Sequence, residues 1–417
     1  MPTHDEERSM LLVGQGLETV APGLHILKGQ GQSFVAETDA GLIVIDAGPG
    51  GKVTQGMIAA LREISDAPLH TLCYSHGHIG YNSGVPLWVE HTRDRGDPPL
   101  RVMAHRNVLK RYARYRETQA LQHRMAEVQF NRPEGFFDQR LPMHDPTETF
   151  DGCIGIGTGE HRVEIFWAPS ETDCAIALWH PGQRVLYGGP ALLDSIPNIG
   201  TPFRTMRDTM RWADTLESMA ALRPRLAVRE FGPVIEGEDK VQEVLLHTAQ
   251  ALRWLRQEVV RLMNQGLNEQ QVLAAMQYPD DWFAPDWMKP TYGDPSYIVR
   301  DIYRSENGWW DRNPTSLHPE APEQVAQALA AAITDKQAVL KHASSLAEQG
   351  QHQLALHVID LLATASGDAP ELNEARRLKA QWLRLRAKQV SSFVSRNLYR
   401  VSADLIDQGT QDRFGIR

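Results

Sequence analysis

The sequence predicts a layered α/β domain followed by an all-helical one, and three observations carry that expectation. From about Val20 to Pro233 short apolar runs alternate with Gly and Pro turns, a helical stretch sits between two of these runs, and beyond Glu238 the apolar residues recur at helical spacing. Strands interleaved with helices bury the faces of a sheet, which is the α/β arrangement.

Taken in order, Leu24-His25-Ile26-Leu27, Ser33-Phe34-Val35-Ala36, Leu42-Ile43-Val44-Ile45-Asp46 and Leu69 to Tyr74 read as strands, with a helix from Thr54 to Ile64 between the last two. A second helical region is expected from about Arg101 to Val128. Strands resume near Arg162-Val163-Glu164-Ile165-Phe166, and the runs Ala175 to Trp179 and Arg184 to Tyr187 flank His180-Pro181-Gly182-Gln183 as a hairpin. From Glu238 the chain is helical except for an aromatic, Pro-rich connector from Tyr278 to Pro319. Its rings are expected to pack the helical module against the α/β domain and a partner subunit. Val325 to Ala347, Gln351 to Leu362 and Arg376 to Asn397 carry apolar residues with small ones between, a composition that resembles tetratricopeptide-like hairpins without a clean repeat period.

Composition narrows the function. The 417 residues hold 43 Lys+Arg against 52 Asp+Glu, a net charge of −9, and no basic block of the kind that phosphate backbones require. No run approaches the roughly 18 apolar residues of a membrane span. The polar, acidic start Met1-Pro2-Thr3-His4-Asp5-Glu6-Glu7-Arg8 is unlike a secretory signal, and Cys73, Cys153 and Cys174 form no C-x-x-C pair. The expectation is a cytoplasmic protein with a small-molecule substrate and with neither nucleic acid nor membrane as partner.

The segment richest in chemistry runs from Leu72 to Gly84, an apolar strand ending in His76-Gly77-His78. Such an ending sets two imidazoles on one side of a loop mouth, and the glycines let the backbone turn tightly around an ion. Upstream, the strand Leu42 to Ile45 ends in Asp46-Ala47-Gly48. The plainer reading is that His76 and His78 merely cap a strand and hydrogen-bond locally.

A strand ending in Asp-x-Gly, then a helix, then a strand ending in His-x-His resembles the metallo-β-lactamase superfamily. Val20-Ala21-Pro22-Gly23-Leu24-His25 is similar to the opening strand of its alkyl sulfatase branch, and Tyr292 to Arg300, Gly308 to Pro314 and Ser395 to Tyr399 are similar to that branch's helical dimerisation region. The resemblance implies a polar tail over 1–19, a metallo-β-lactamase-like αββα sandwich over 20–237 and a helical dimerisation domain over 238–417 that forms a homodimer. It does not extend to the branch's C-terminal sterol-carrier-like domain.

The resemblance also implies a first metal site of His76, His78 and Glu171, the last from Pro169-Ser170-Glu171, one residue shorter than the family's Pro-x-x-Glu turn. The superfamily's H-x-H-x-D-H continues here as Gly80-Tyr81, which removes two ligands of a second ion. The family's bridging glutamate falls near Gly189 or Pro190 and its late histidine near Glu230-Phe231-Gly232-Pro233, where Glu230 alone offers an oxygen. One divalent ion is therefore expected, with zinc favoured and Fe(II) the alternative, because two histidines and a carboxylate serve both. Asn198 and Arg204 stand where the family holds the sulfate, and a guanidinium fork suits an oxyanion. Tyr81 and Asp46 are the candidate catalytic side chains, Tyr81 as a phenol that donates a proton or hydrogen-bonds a substrate. A ring filling the lost ligand's volume is the plainer reading of Tyr81, and salt bridges at a helix start that of Arg204 and Arg207.

These residues lead to a mononuclear metal-dependent hydrolase that cleaves an ester-like bond in a small anionic or amphipathic substrate. Plain alkyl-sulfate hydrolysis is expected to be weak or absent, because the second site is degraded. A non-haem Fe(II) oxidoreductase and a non-catalytic dimer that binds a ligand or a protein are the alternatives.

Overall fold

The computed structural model describes residues 15–138 and 142–409. The chain divides into two compact units, Met1–Gln119 with Gln139–Glu306, and Ala120–Asp138 with Asn307–Arg417. The tail expected over 1–19 falls outside the described residues as far as residue 14, and Leu17–Ala21 is already a strand.

In the first unit one sheet has seven strands in the order β1 (Leu17–Ala21), β2 (Leu24–Gly29), β3 (Gly31–Thr38), β4 (Gly41–Ile45), β5 (Leu69–Cys73), β6 (Arg101–His105) and β7 (Glu148–Phe150). The other has six, in the order β13 (Ile235–Glu236), β12 (Leu226–Arg229), β11 (Val185–Gly189), β10 (Ile176–His180), β9 (Val163–Trp167) and β8 (Cys153–Ile156). The two-residue period of a strand sorts their side chains between cores. Ile43 and Ile45 of β4 meet Ile176 and Leu178 of β10 in a core shared by the sheets. Leu42 and Val44 turn the other way, into a core with Met57 and Leu61 of α1 (Gly51–Arg62), Trp88 of α2 (Val85–Asp94) and Tyr112 of α3 (Asn107–Glu117), which α4 (Gln119–Gln129) follows. On the second sheet Ala177 and Trp179 join Trp212 and Leu216 of α5 (Thr209–Ala221) and Leu245 and Leu252 of α6 (Glu238–Asn264). Helix, sheet, sheet, helix is the layering of an αββα sandwich.

Residues 101–105, expected to open a helix, form β6 instead, and the helix begins at Asn107. Strand β6 pairs in parallel with β5 and β7 and buries Val102, Met103, Ala104 and His105. A strand buried on both faces has no polar alternation to distinguish it from a helix. The expected hairpin is present, with Trp179 opposite Leu186 across β10 and β11. In the connector, Trp287, Tyr297 and Tyr303 are buried, whereas Trp309 is 74% exposed.

In the second unit α10 (Pro322–Ala332), α11 (Lys336–Glu348), α12 (His352–Ala363), α13 (Pro370–Ala387) and α14 (Phe393–Asp407) share a core whose Ala330, Ala343, Ala355 and Ala375 let helices approach closely around Ile359 and Leu383 (α7, α8 and α9 being Glu269–Ala275, Asp280–Phe283 and Pro295–Asn307, in the first unit as far as Glu306). Asn397 Nδ2 donates to the carbonyl of Gln129 at 2.9 Å, tying α14 to α4. Among the described residues no helix is long and apolar enough to cross a membrane.

Strands β4 and β5 run parallel with Ile45 opposite Cys73, so the chain leaves both at the same edge of the sheet. Carboxyl ends of adjacent parallel strands are where open α/β sheets gather functional loops.

Candidate metal centre

Asp46 follows β4 with φ 68°, a left-handed conformation that costs a residue with a Cβ about 1–2 kcal/mol and needs support. Its N–H donates to the Cys73 carbonyl at 2.9 Å. Its Oδ1 accepts from the Ser75 N–H at 2.8 Å and from Asn82 Nδ2 at 2.9 Å, and Asn82 Oδ1 in turn accepts from the Ala47 N–H at 2.9 Å. Asp46 and Asn82 thus tie the loop after β4 to the loop that carries the histidines. Burial outweighs these hydrogen bonds and raises the Asp46 carboxyl to about 6.

His76 is fully buried, with Nδ1 2.8 Å from Ser75 Oγ and Nε2 2.8 Å from His78 Nδ1. Two imidazole lone pairs that close repel unless a proton or a cation lies between them. Burial first, then the charges of Arg111 and Arg207, hold the His76 pKa well below its usual value, and burial first, then neighbours that include His76 and Arg207, does the same for His78. Neutral imidazole is the ligating form.

Glu171 reaches the pair from the turn between β9 and β10. Its Oε2 lies 3.6 Å from His78 Nδ1 and 3.9 Å from His76 Nε2. The three side chains offer ligand atoms within 4.8 Å of one another, the one such group among the described residues. The short turn therefore does not prevent Glu171 from converging on the histidines. Two contacts lock it to the histidine loop: the Gly77 N–H donates to Cys174 Sγ at 3.3 Å, and the Ile176 N–H to the Ser75 carbonyl at 2.8 Å. Two neutral imidazoles and a buried carboxylate form a donor set that fits zinc or Fe(II).

Arg207 anchors this carboxylate. Its Nη1 donates to Glu171 Oε1 at 3.1 Å and also to the Asn198 carbonyl, while its N–H donates to Asp301 Oδ2 at 3.2 Å. Burial raises the Asp301 carboxyl to about 6 against the pull of that N–H and of nearby guanidinium groups. Asn198 is fully buried; its Oδ1 accepts from the Thr201 hydroxyl, and its Nδ2 has no partner among the described residues. Arg204 Nη1 donates to the Phe203 carbonyl at 3.3 Å, and its charge bears on His78. Arg204 and Arg207 precede the helix they were expected to open: α5 starts at Thr209, capped by Asp208, which accepts from the Met210 and Arg211 N–H groups.

The Tyr81 ring packs edge-on against His76 at 4.5 Å between centroids. Its hydroxyl faces Glu230, whose two carboxyl oxygens are buried without a well-formed hydrogen bond among the described residues. Burial, then the charge of Glu171, pushes the Glu230 pKa well up, and burial, then Glu230 and Glu171, does so for Tyr81. Sequence reasoning missed Asn82, Arg111 and Cys174 and gave Arg207 no ligand-holding part. Only the position of Asn82 beside Tyr81 offered a hint.

Residues 26–229 match the family described as Metallo-beta-lactamase superfamily, and residues 268–409 match Alkyl sulfatase dimerisation. The chain belongs to the alkyl sulfatase branch of the metallo-beta-lactamase superfamily. A Linear primary-alkylsulfatase from Pseudomonas sp. is 26% identical to this branch member over 401 residues, covering 88% of this chain and 72% of the relative. An (R)-specific secondary-alkylsulfatase from Pseudomonas sp. is 22% identical over 420 residues, covering 93% and 62%. The solved structure of the stereoselective inverting sec-alkylsulfatase Pisa1 from Pseudomonas sp. superposes with a TM-score of 0.82 at 20% identity, covering 97% of this chain and 68% of that one, which establishes a shared fold.

Proposed function

We propose that this member of the branch is a mononuclear metal-dependent hydrolase acting on an ester-like bond of a small anionic substrate, and that it works as a homodimer through its helical region. The observation that carries the reading is the convergence of His76, His78 and Glu171 within 4.8 Å. Relatives named as alkylsulfatases support the ester-like bond, and the match of 268–409 to Alkyl sulfatase dimerisation supports the homodimer. Gly80 and Tyr81 at the positions of two further ligands support a single ion.

A bound divalent ion supplies Lewis acidity and acidifies a water. The chain's own residues divide the remaining work. Arg207 fixes the Glu171 carboxylate, and Asp46, through the Ser75 N–H, fixes the loop of the histidines; both are positioning residues. The unpartnered Asn198 Nδ2 and the Arg204 guanidinium hold the substrate anion. Tyr81, kept as a phenol by burial and nearby carboxyl groups, offers its Oη hydrogen as a hydrogen-bond donor to a substrate oxygen that takes the place of Glu230.

The test is the metal content per chain of the purified protein and of a His76→Ala/His78→Ala control, followed by a screen of esters. About one zinc per chain, lost in the control, with ester hydrolysis that depends on it, supports the reading. About one iron with ferrous-dependent oxygen consumption favours the oxidoreductase that the same donor set serves, and no metal above the control overturns both. A solution mass near twice the 46.8 kDa of one chain supports the homodimer.

A further inference from the structure

We infer that the substrate of this site carries a second anionic group, bound by Lys110, Arg111 and Arg114 of α3 in a cavity beside the metal ligands. The inference rests on the hydrolase reading for the position of the first group. Residues 110 and 114, and 111 and 114, stand four and three apart on α3, the spacings that bring helical side chains together on one face. They line a cavity of about 360 Å³, near the lower end of the roughly 300–1,000 Å³ typical of small-molecule sites.

The cavity is joined to the ligand group. Glu171 and Arg207 are among its lining residues. Arg111 packs over the loop of the histidines, so that a Cβ added to Gly77 would stand 2.9 Å from Arg111 Cδ. A substrate held at the triad therefore extends directly toward α3.

The charges in the cavity do not cancel. Five cations line it, Lys110, Arg111, Arg114, Arg207 and Arg211, in a chain whose net charge is −9. Its three carboxylates are already engaged: Glu171 with Arg207 at 3.1 Å, Asp173 with Arg111 at 2.7 Å, and Asp208 with the first N–H groups of α5 and with Arg211 at 3.9 Å. No carboxylate among the described residues pairs with Lys110, and Arg114 is found over the Tyr115 ring at 4.9 Å. Arg111 Nε is buried without a hydrogen-bond partner among the described residues. A buried donor left unmatched costs free energy that an anionic ligand recovers.

The walls also argue against a long hydrocarbon tail, since Pro169 and Met206 are the apolar side chains among the lining residues. A short substrate with an ester at one end and a carboxylate, sulfate or phosphate at the other matches both ends of the site.

The experiment compares two sulfate esters of matched shape, 4-sulfooxybutanoate and 4-methylpentyl sulfate, by calorimetric titration of the full chain. The expected result is tighter binding of the carboxylate-bearing ester by about tenfold, the factor supplied by one hydrogen bond to a charged group, and a preference that shrinks as salt is raised. Lys110→Gln/Arg114→Gln, checked for an unchanged melting temperature, should shrink the preference to what Arg111 alone supplies, and His76→Ala/His78→Ala should keep it. Equal affinity for the two esters, no binding of either, or a preference unchanged by the loss of the Lys110 and Arg114 charges overturns the inference. A preference in a protein that holds no metal leaves the inference standing and removes the hydrolase reading. Metal-dependent hydrolysis without the preference does the reverse.

Discussion

Arg207 holds Glu171 in place for the histidines: one carboxylate oxygen accepts from Arg207 Nη1 at 3.1 Å, and the other lies 3.6 Å from His78 Nδ1. The same Nη1 also donates to the Asn198 carbonyl, so one nitrogen of the guanidinium fixes two loops at once. Arg207→Lys keeps the charge beside the site but loses the rigid guanidinium that places Nη1 between Glu171 and the Asn198 carbonyl, which isolates aim from electrostatics. We expect zinc affinity to fall by about tenfold, the lower end of the cost of losing a group that orients a ligand, with the melting temperature little changed. A metal-competition titration reads this, and unaltered affinity would mean that Glu171 aims itself.

Asp301 of α9 secures the backbone of the same arginine, and it gives the fold a pH dependence whose sign is fixed. Its carboxyl is raised to about 6 from an ordinary 3.8, chiefly by burial. Below the ordinary value both folded and unfolded chains hold the proton and the group contributes nothing. Between about 4 and 6 the unfolded chain ionises first, so stability falls as pH rises, by up to about 3 kcal/mol once pH exceeds the folded value. Asp301→Asn keeps an oxygen for the Arg207 N–H and cannot ionise. Its melting temperature relative to the unaltered protein should therefore rise from pH 4 to pH 6.5, and parallel curves would contradict this.

Asn82 is the joint between the two strand-end loops, accepting from the Ala47 N–H and donating to Asp46 Oδ1, both at 2.9 Å. Asn82→Ala leaves the Ala47 N–H without that acceptor and the buried Asp46 with one donor fewer, at a cost of about 1–3 kcal/mol. Asn82→Asp should be worse, because it removes the amide donor and sets a second carboxylate beside Asp46. Urea unfolding midpoints ordered as unaltered protein, then Asn82→Ala, then Asn82→Asp would bear this out; the reverse order of the two variants would show that the joint is only a matter of volume.

The strands and the histidine pair were legible because their information is local. Residues Leu42 to Ile45 declare a strand, and a glycine-spaced pair of histidines at a strand end sets two imidazoles at one loop mouth whatever lies elsewhere. Strand β6 was not legible, because burial on both faces erases the alternation that marks Val102 to Ala104 as a strand. Arg204 and Arg207 stand three apart in a loop without periodicity. Which of them meets Glu171 is decided by Asp301, 94 residues downstream of Arg207, gripping one backbone N–H. Glu171 itself entered through resemblance, and only the folded turn brings it to the histidines.

On the proposed single-ion reading, positions 80 and 81 depart from a two-metal loop in backbone conformation as well as side-chain chemistry, and that makes a second site hard to build. Gly80, at the position where the superfamily pattern has aspartate, adopts φ 101°, and a Cβ there would stand 2.8 Å from the amide of Gln30. Tyr81, at the position of the next histidine, packs its ring on His76 and directs its hydroxyl toward the buried Glu230. Glycine at 189 and proline at 190 leave no bridging carboxylate. Gly80→Asp/Tyr81→His should therefore lose about 1–3 kcal/mol of stability through backbone strain and crowding, without binding more than one ion per chain. Elemental analysis of the double variant beside its unfolding curve tests both halves. Two ions in a stable protein would mean that the loop can relax into a two-metal geometry, and the single-ion reading would then rest on side chains alone.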